Sequence, residues 1–463
     1  MSVLAPPATI LLPGDPGWDD ARQAWNLAVD QHPAAVARPA SAADVADVIR
    51  FAREHGLRVA AQGTGHNAAP LGLLNDTILV KTAAMRQVSI DPAARIARAE
   101  AGAVWRDVVE AAARHGLAAL AGSSPDVGVV GYTIGGGMSW LGRAYGLSAN
   151  NVEAIEVVTA GGRLVRADAC TEPDLFWALR GGGGSFGVVT AIELRLFPIT
   201  GVYAGLLWWP AEPGSEPGSD RAAEVLQAWR ELTQCGLPEE FTTSARLMNF
   251  PPVPDLPDHL RGRSFVVIDV IHLGEPAEAD RLLAPLRALR PVTDTVQMIP
   301  TKALSHLHMD PEGPVAGAGD GLMLASLPAE AIETIIRVAG GHAGRLLGVE
   351  LRQIGGEMKR ARPRNGALAA VEAEYALFAG GAAPFPQAAA AVARSVAALR
   401  AALSPWTARQ MYLNFAETGR DPSCFWTPQA YDRLRRIKAE VDPDELIRSN
   451  HPIPPHQINH PHQ

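Results

Sequence analysis

At 463 residues, 47% hydrophobic and 19% charged, the chain exceeds what one hydrophobic core usually serves and has the composition of a folded multi-domain protein. A net charge of −8 without runs of like charge argues against nucleic acid as a partner. The apolar stretch Ala8–Pro13 lacks a preceding basic residue, no segment reaches the roughly 20 apolar residues of a membrane span, and three scattered cysteines show no metal or disulfide spacing, so a reducing cytoplasm and no membrane are expected.

Ser41–Leu57 reads as a capped helix with Val45, Val48, Ile49 and Ala52 on one face and Gly56 as its stop. Arg58–Gln62 is an apolar strand that runs into the loop Gly63–Asn67. Strand-like runs at Asp76–Val80, Ile96–Glu100 and Gly102–Trp105, with a helix at Trp105–His115, imply mixed α and β structure. Glycine is dense in Gly122–Gly146 and again in Gly181–Gly187, just ahead of the strand-like Val188–Leu196. The Pro- and Gly-rich segment Gly201–Asp220 reads as an exposed crossing and puts a domain boundary near residue 200. Beyond it, strand-like Phe265–Ile271 and Leu346–Leu351 mix with helix-like Ala222–Leu232 and Ala388–Leu403, the pattern of a second α+β domain. A strand at Arg409–Phe415, a helix at Pro428–Val441 and a His-rich, Pro-interrupted tail at His451–Gln463, expected to be disordered, follow.

Glycine loops suit places where backbone must lie close to a phosphate. Gly63-Thr-Gly65 and Gly135-Gly-Gly137 therefore suggest a bulky phosphorylated cofactor, but neither completes G-x-G-x-x-G, which disfavours a dinucleotide fold of that type. Tight packing of a helix on a sheet is the other reading of the second loop. His306 and His308, near Asp310, would share one face of a strand, yet a His-x-His pair is not a defined ligand set, and no metal site is expected.

The motifs acquire meaning together. They are Arg38-Pro-Ala-Ser-Ala-Ala-Asp-Val45, Gln62-Gly-Thr-Gly-His-Asn67, Val127-Gly-Val-Val-Gly-Tyr-Thr-Ile-Gly-Gly-Gly137 and Asp174-Leu-Phe-Trp-Ala-Leu-Arg-Gly-Gly-Gly-Gly-Ser-Phe-Gly187. Tyr412-Leu-Asn-Phe415 and Tyr431-Asp-Arg-Leu-Arg-Arg-Ile-Lys438, then Val441-Asp-Pro443, close the series. In this order and spacing the chain resembles the berberine bridge enzyme branch of the FAD-linked oxidases, within the vanillyl-alcohol oxidase superfamily, over nearly its whole length and most weakly in the middle. The resemblance implies an α+β fold: a two-lobed PCMH-type FAD-binding domain at 32–200, completed by a segment at 410–455, and an α+β substrate domain with an antiparallel sheet at 201–409.

It also implies FAD bonded through its 8α carbon to His66, within Gly63, Thr64, Gly65 and Asn67. Many relatives add a second bond from a cysteine; Ser124 stands at that position, so a single bond is expected. Gly128, Gly131, Gly135 and Gly136, with the hydroxyls of Ser123 and Thr133, would cradle the pyrophosphate and flank the ring. Asn414 would reach the polar edge of the flavin, and Val127 matches a position that governs access of dioxygen, where valine is permissive.

Oxidation by hydride removal leaves a proton to be taken up, so the site needs a base. The tyrosine that many relatives use is Phe415 here. Tyr412 is the first candidate, on one strand face with Asn414; Glu417, on the other face with Phe415, is the second. Arg352 and Gln353, just before Gly355-Gly356, are candidates to touch an acidic or hydroxylated substrate. The expected reaction is oxidation of a small alcohol, sugar or secondary metabolite with dioxygen reduced to hydrogen peroxide. A flavin dehydrogenase with another acceptor, or a flavoprotein with mainly a binding or resistance role, are the alternatives.

Overall fold

Three sheets organise the chain. The structure, a computed structural model, describes residues 7, 9–211, 221–254, 256–340 and 345–456. The first sheet is built on the expected strand Arg58–Gln62, which pairs in parallel with Thr77–Lys81 on one side and with Ile447–Arg448 on the other. Ala35–Ala37 adds to Thr77–Lys81 in parallel, and Ile10–Leu11 closes that edge antiparallel. Parallel strands need cover on both faces, and Val59, Ala60, Ile78, Leu79 and Val80 are accordingly fully buried. One cover is the helix Ala42–Glu54. Ser41 accepts from the Asp44 N–H while the Asp44 carboxylate accepts from the Ser41 N–H, a capping box that fixes where the helix starts. Its buried face is Val45, Val48, Ile49 and Ala52, as the periodicity predicts.

The second sheet is antiparallel, in the order Val88–Asp91, Ile96–Glu100, Val188–Arg195, Val152–Val158, Leu164–Ala167. Helix Ala42–Glu54 touches both this sheet and the first, so the two share one core, which the helix Pro428–Val441 joins through Leu434 and Ile437. The third sheet has eight strands, all antiparallel. Its middle runs Gly201–Pro210, Ser264–His272, Phe241–Asn249, Gly348–Gln353, Tyr375–Ala382, Gly317–Leu324. Helices Arg221–Gln234, Pro276–Ala288, Ala329–Ala339 and Pro386–Leu403 bury a second core with it, around Trp209, Trp229 and Leu399. This is the α+β class expected, with the antiparallel sheet in the second lobe.

Three expectations need correction. Gly201–Asp220 is not an exposed crossing throughout: Gly201–Pro210 is a strand with Ala204, Leu207 and Trp209 fully buried, because Val202-Tyr-Ala-Gly-Leu-Leu-Trp-Trp209 is itself strand sequence. Residues 212–220 of that segment lie outside the described residues, as do 457–463 of the tail. Gly102–Trp105 makes only an isolated bridge from Val104 to Gly128 before the helix Trp105–Ala113 begins. Arg409–Phe415 is not a strand. Met411 donates a lone backbone bond to Cys424, and Leu413–Phe415 turns into a 3-10 helix.

Candidate active site

The strand Arg58–Gln62 delivers the loop Gly63–Asn67 into a cavity of about 350 Å³, walled by both lobes. Thr64 Oγ1 lies 2.7 Å from His66 Nδ1, and the imidazole stacks on Trp25 with ring centroids 3.9 Å apart. His66 Nε2 faces Asp126 Oδ1 at 3.4 Å, too poorly aligned to bond, and is a buried nitrogen with no hydrogen-bond partner. Burial would raise the Asp126 pKa. Contact with His66, the N–H of Gly313, the Trp25 indole and the Ser124 hydroxyl outweigh it and hold this carboxyl well below the usual range.

Opposite, the short helix Val129–Ile134 starts at Gly128 and leaves its first N–H groups without intrahelical acceptors. Gly131 faces the cavity, and a Cβ there would meet nothing within 4 Å. Gly135 and Gly136 serve a different purpose. A Cβ on Gly135 would lie 1.9 Å from Asn414 Oδ1, and one on Gly136 2.9 Å from the Tyr412 ring, so these glycines admit protein side chains. Asn414 Nδ2 then donates to Tyr132 O at 2.9 Å and to the Tyr412 hydroxyl at 3.3 Å. Burial pushes the Tyr412 phenol well above its ordinary pKa, although the N–H groups of Met138 and Gly137, Arg352 and Asn414 all favour the phenolate.

The predicted residues divide. Gly63, Thr64, Gly65, His66 and Asn67 line the cavity together with Ser123, Ser124, Val127 and Gly128. Gly131, Gly135, Tyr412 and Asn414 line it too, with Arg352. Four do not. Thr133 is fully buried with its hydroxyl 3.3 Å from Ser148 Oγ, and Gly136 is covered by Tyr412 and Leu368. Gln353 alternates to the strand face opposite Arg352 and donates to Thr233 O. Glu417 lies past the 3-10 turn beside Asp320; burial and that neighbouring carboxylate raise its pKa to about 7. The same turn brings Phe415 into the cavity wall alongside Tyr412 and Asn414, where an alternating strand would have turned it away.

Arg448, Ser449, Asn450 and His451 complete the wall. His451, read in the sequence as the start of a disordered tail, is buried, with Nε2 3.1 Å from Ala416 O. The strand that places these residues, Ile447–Arg448, is two residues long, too short to leave a periodic signal. The histidine pair also separates. His306 sits in the 3-10 helix Thr301–His306 and pairs with Glu312, while His308 turns inward to Asp310 at 2.6 Å and Glu350 at 3.2 Å. Burial pushes the His308 imidazole down, but the two carboxylates prevail and raise it to about 9. Arg352 and His308 in turn keep the Glu350 carboxyl ionised against its burial.

Does an FAD-sized group suit these walls? His66 Nε2, Asn67 Oδ1, Tyr132 OH and His451 Nδ1 are buried polar atoms without partners, all on residues of this one cavity. Buried polar groups are normally satisfied, so a ligand rich in donors and acceptors fits. Gly131 leaves the open backbone such a ligand would cover.

Fold and cavity together define a flavin-dependent oxidoreductase with a two-lobed FAD-binding half. The chain belongs to the PCMH-type FAD-linked oxidoreductases: residues 33–168 match the FAD binding domain family and residues 411–454 the berberine and berberine-like family. Among curated relatives, (R)-6-hydroxynicotine oxidase of Paenarthrobacter nicotinovorans is 29% identical, covering 98% of this chain and 99% of its own. An uncharacterised FAD-linked oxidoreductase of Bacillus subtilis, YgaK, is 26% identical over 95% of both chains. Among solved structures, 6-hydroxy-D-nicotine oxidase from Arthrobacter nicotinovorans superposes with a TM-score of 0.81 at 27% identity, over 96% of this chain and 98% of the other. Among the described residues no helix is long and apolar enough to cross a membrane.

Proposed function

We propose that the protein is an oxidase that removes a hydride from a small organic substrate, with FAD held in the cavity through one covalent bond to His66 and dioxygen as the electron acceptor. On this reading the FAD half is residues 32–200 with 410–455, and 201–409 form the substrate half. The observation that carries the reading is the state of His66. Its ring is clamped between Thr64 and Trp25, and Nε2 is buried without a hydrogen bond beside the Asp126 carboxylate. Ser124, at the position of a second tether, spends its hydroxyl on Asp126, and no cysteine lines the cavity. A single bond follows.

Bound FAD supplies the hydride acceptor; the chain supplies everything else. Tyr412 is assigned to the substrate proton because it lines the cavity wall and, against the burial that raises its pKa, the N–H groups of Met138 and Gly137, Arg352 and Asn414 favour its phenolate. The Phe415 ring packs edge-on against Tyr412 in the same wall. Dioxygen as acceptor, giving hydrogen peroxide, is supported by the oxidase relative and by Val127 in the wall. The unpaired state of Cys170, Cys235 and Cys424 agrees with a reducing cytoplasm.

Acid denaturation of the yellow protein tests the tether. Flavin fluorescence should stay with the polypeptide in the wild type and leave it in His66→Ala. Release from both would remove the covalent bond from the proposal, and retention in both would move it to another residue.

A further inference from the structure

The carbonyl of Ala416, just past the turn Leu413–Phe415, is claimed twice. Asn67 Nδ2 donates to it at 3.2 Å and His451 Nε2 lies 3.1 Å from it. Three stretches of chain far apart in sequence thus meet at one atom: the loop that carries His66, this turn, and the residues after the strand Ile447–Arg448. Asn450 Nδ2 donates to Asn67 O, and the Phe425 ring packs against the His451 imidazole with centroids 4.6 Å apart, so both partners are held in place.

A carbonyl only accepts, and this fixes what each partner presents on its far side. The Asn67 amide turns its nitrogen to Ala416 and its Oδ1 away. His451 carries a proton on Nε2. Burial, aided by Arg420, holds the imidazole below its ordinary pKa against Ala416 O and Asp320, so the ring is neutral and Nδ1 is a bare lone pair. Asn67 Oδ1 and His451 Nδ1 are both buried without a hydrogen-bond partner, and both residues line the cavity. Buried polar atoms are normally satisfied; here two of one kind, acceptors, flank a single carbonyl. They call for a group that brings donors side by side. An imide fits poorly, because its N–H stands between carbonyl oxygens that a second acceptor repels. A phosphate lacks donors altogether. A run of hydroxyls, each able to donate, fits.

We infer that Asn67 Oδ1 and His451 Nδ1 form an acceptor pair that holds the hydroxyls of a polyol chain, which in the cofactor proposed above is the ribityl chain of FAD. The inference rests on that flavin reading. In FAD the ribityl chain is joined to the ring that His66 would tether, and Asn67 is the next residue along the backbone. His451, from a stretch whose sequence reads as tail, becomes a cofactor-binding residue, and the Ala416 carbonyl is what orients it.

Fluorescence titration with FAD tests it in a His66→Ala background, where no tether masks the affinity. Adding His451→Phe should weaken FAD about tenfold, the loss expected for one buried hydrogen bond, and Asn67→Leu should do the same. His451→Gln should stay within about twofold of the parent, because its amide can donate to Ala416 O and still accept from a hydroxyl. Among FAD analogues that each lack one ribityl hydroxyl, one should bind the parent about tenfold more weakly than FAD does, yet bind His451→Phe as FAD does. Unchanged affinity in His451→Phe overturns the pair. So does the same pattern shown instead by FAD methylated on its imide nitrogen, which would move the contact to the ring. If a variant does not fold, the analogue series on protein with His451 intact decides alone. Wild-type protein that takes up no FAD overturns the flavin reading, and the pair falls with it, whereas FAD uptake indifferent to every ribityl hydroxyl overturns only the pair.

Discussion

Three carboxylates near the cavity show how company sets charge. Asp126 and Glu350 are kept ionised by hydrogen-bond donors and by Arg352 and His308, while Glu417 has a buried carboxylate neighbour and titrates near neutrality. A carboxyl raised to about 7 would suit a base, but Glu417 is outside the cavity wall and Tyr412 is in it. Tyr412→Phe should lower kcat about a hundredfold or more, and Glu417→Gln should leave it within about twofold, in steady-state oxygen uptake. Glu417 acts on stability. Its folded pKa lies above the unfolded value, so its contribution is present in full at low pH and is lost as pH rises through about 7. Glu417→Gln should therefore match the wild type in thermal unfolding at about pH 5 and exceed it at about pH 8, by up to about 2 kcal/mol. Equal stability at both pH values would refute that role.

Elements decide which residues of a motif face the same way. In the helix Val129–Ile134, positions two apart are rotated by about 200°, so Gly131 and Thr133 cannot both face the cavity, whereas Gly131 and Gly135 both line it. A linear motif does not reveal this. Gly131→Ala should hold or raise stability by up to about 1 kcal/mol yet weaken FAD binding, because its methyl enters the cavity. Gly135→Ala should instead cost about 1–3 kcal/mol, since Asn414 must be displaced. Thermal unfolding with and without FAD separates the two; equal behaviour would contradict the packing described. The strand Arg58–Gln62 and the helix Pro428–Val441, with Thr427 as cap and Pro428 at its first turn, were legible because apolar runs and end signals coincide there. The turn at Leu413–Phe415 and the strand Ile447–Arg448 were not: each is shorter than a helical or strand period, and each is held by contacts distant in sequence, such as Ala416 O to Asn67 Nδ2.

Across the molecule, the closing segment is locked to the first sheet by a fully buried ion pair. Lys438 Nζ contacts Asp442 Oδ2 at 2.5 Å and donates to Ser185 O and Ile447 O, while Asp442 accepts from the N–H groups of Leu446 and Ile447. Lys438→Met strands that carboxylate and should cost about 3–5 kcal/mol with a matching loss of FAD affinity, measured by denaturant unfolding and flavin titration. Full stability in that variant would show that the strand holds without the pair.

Because Ile447–Arg448 slots in beside Arg58–Gln62, the pocket's last wall is drawn from residues synthesised nearly four hundred positions after His66. Nascent chains fold from the N-terminus as they emerge. The loop bearing His66 thus lacks its last wall while translation continues through the whole second lobe, and the cavity is complete only once residue 451 has left the ribosome.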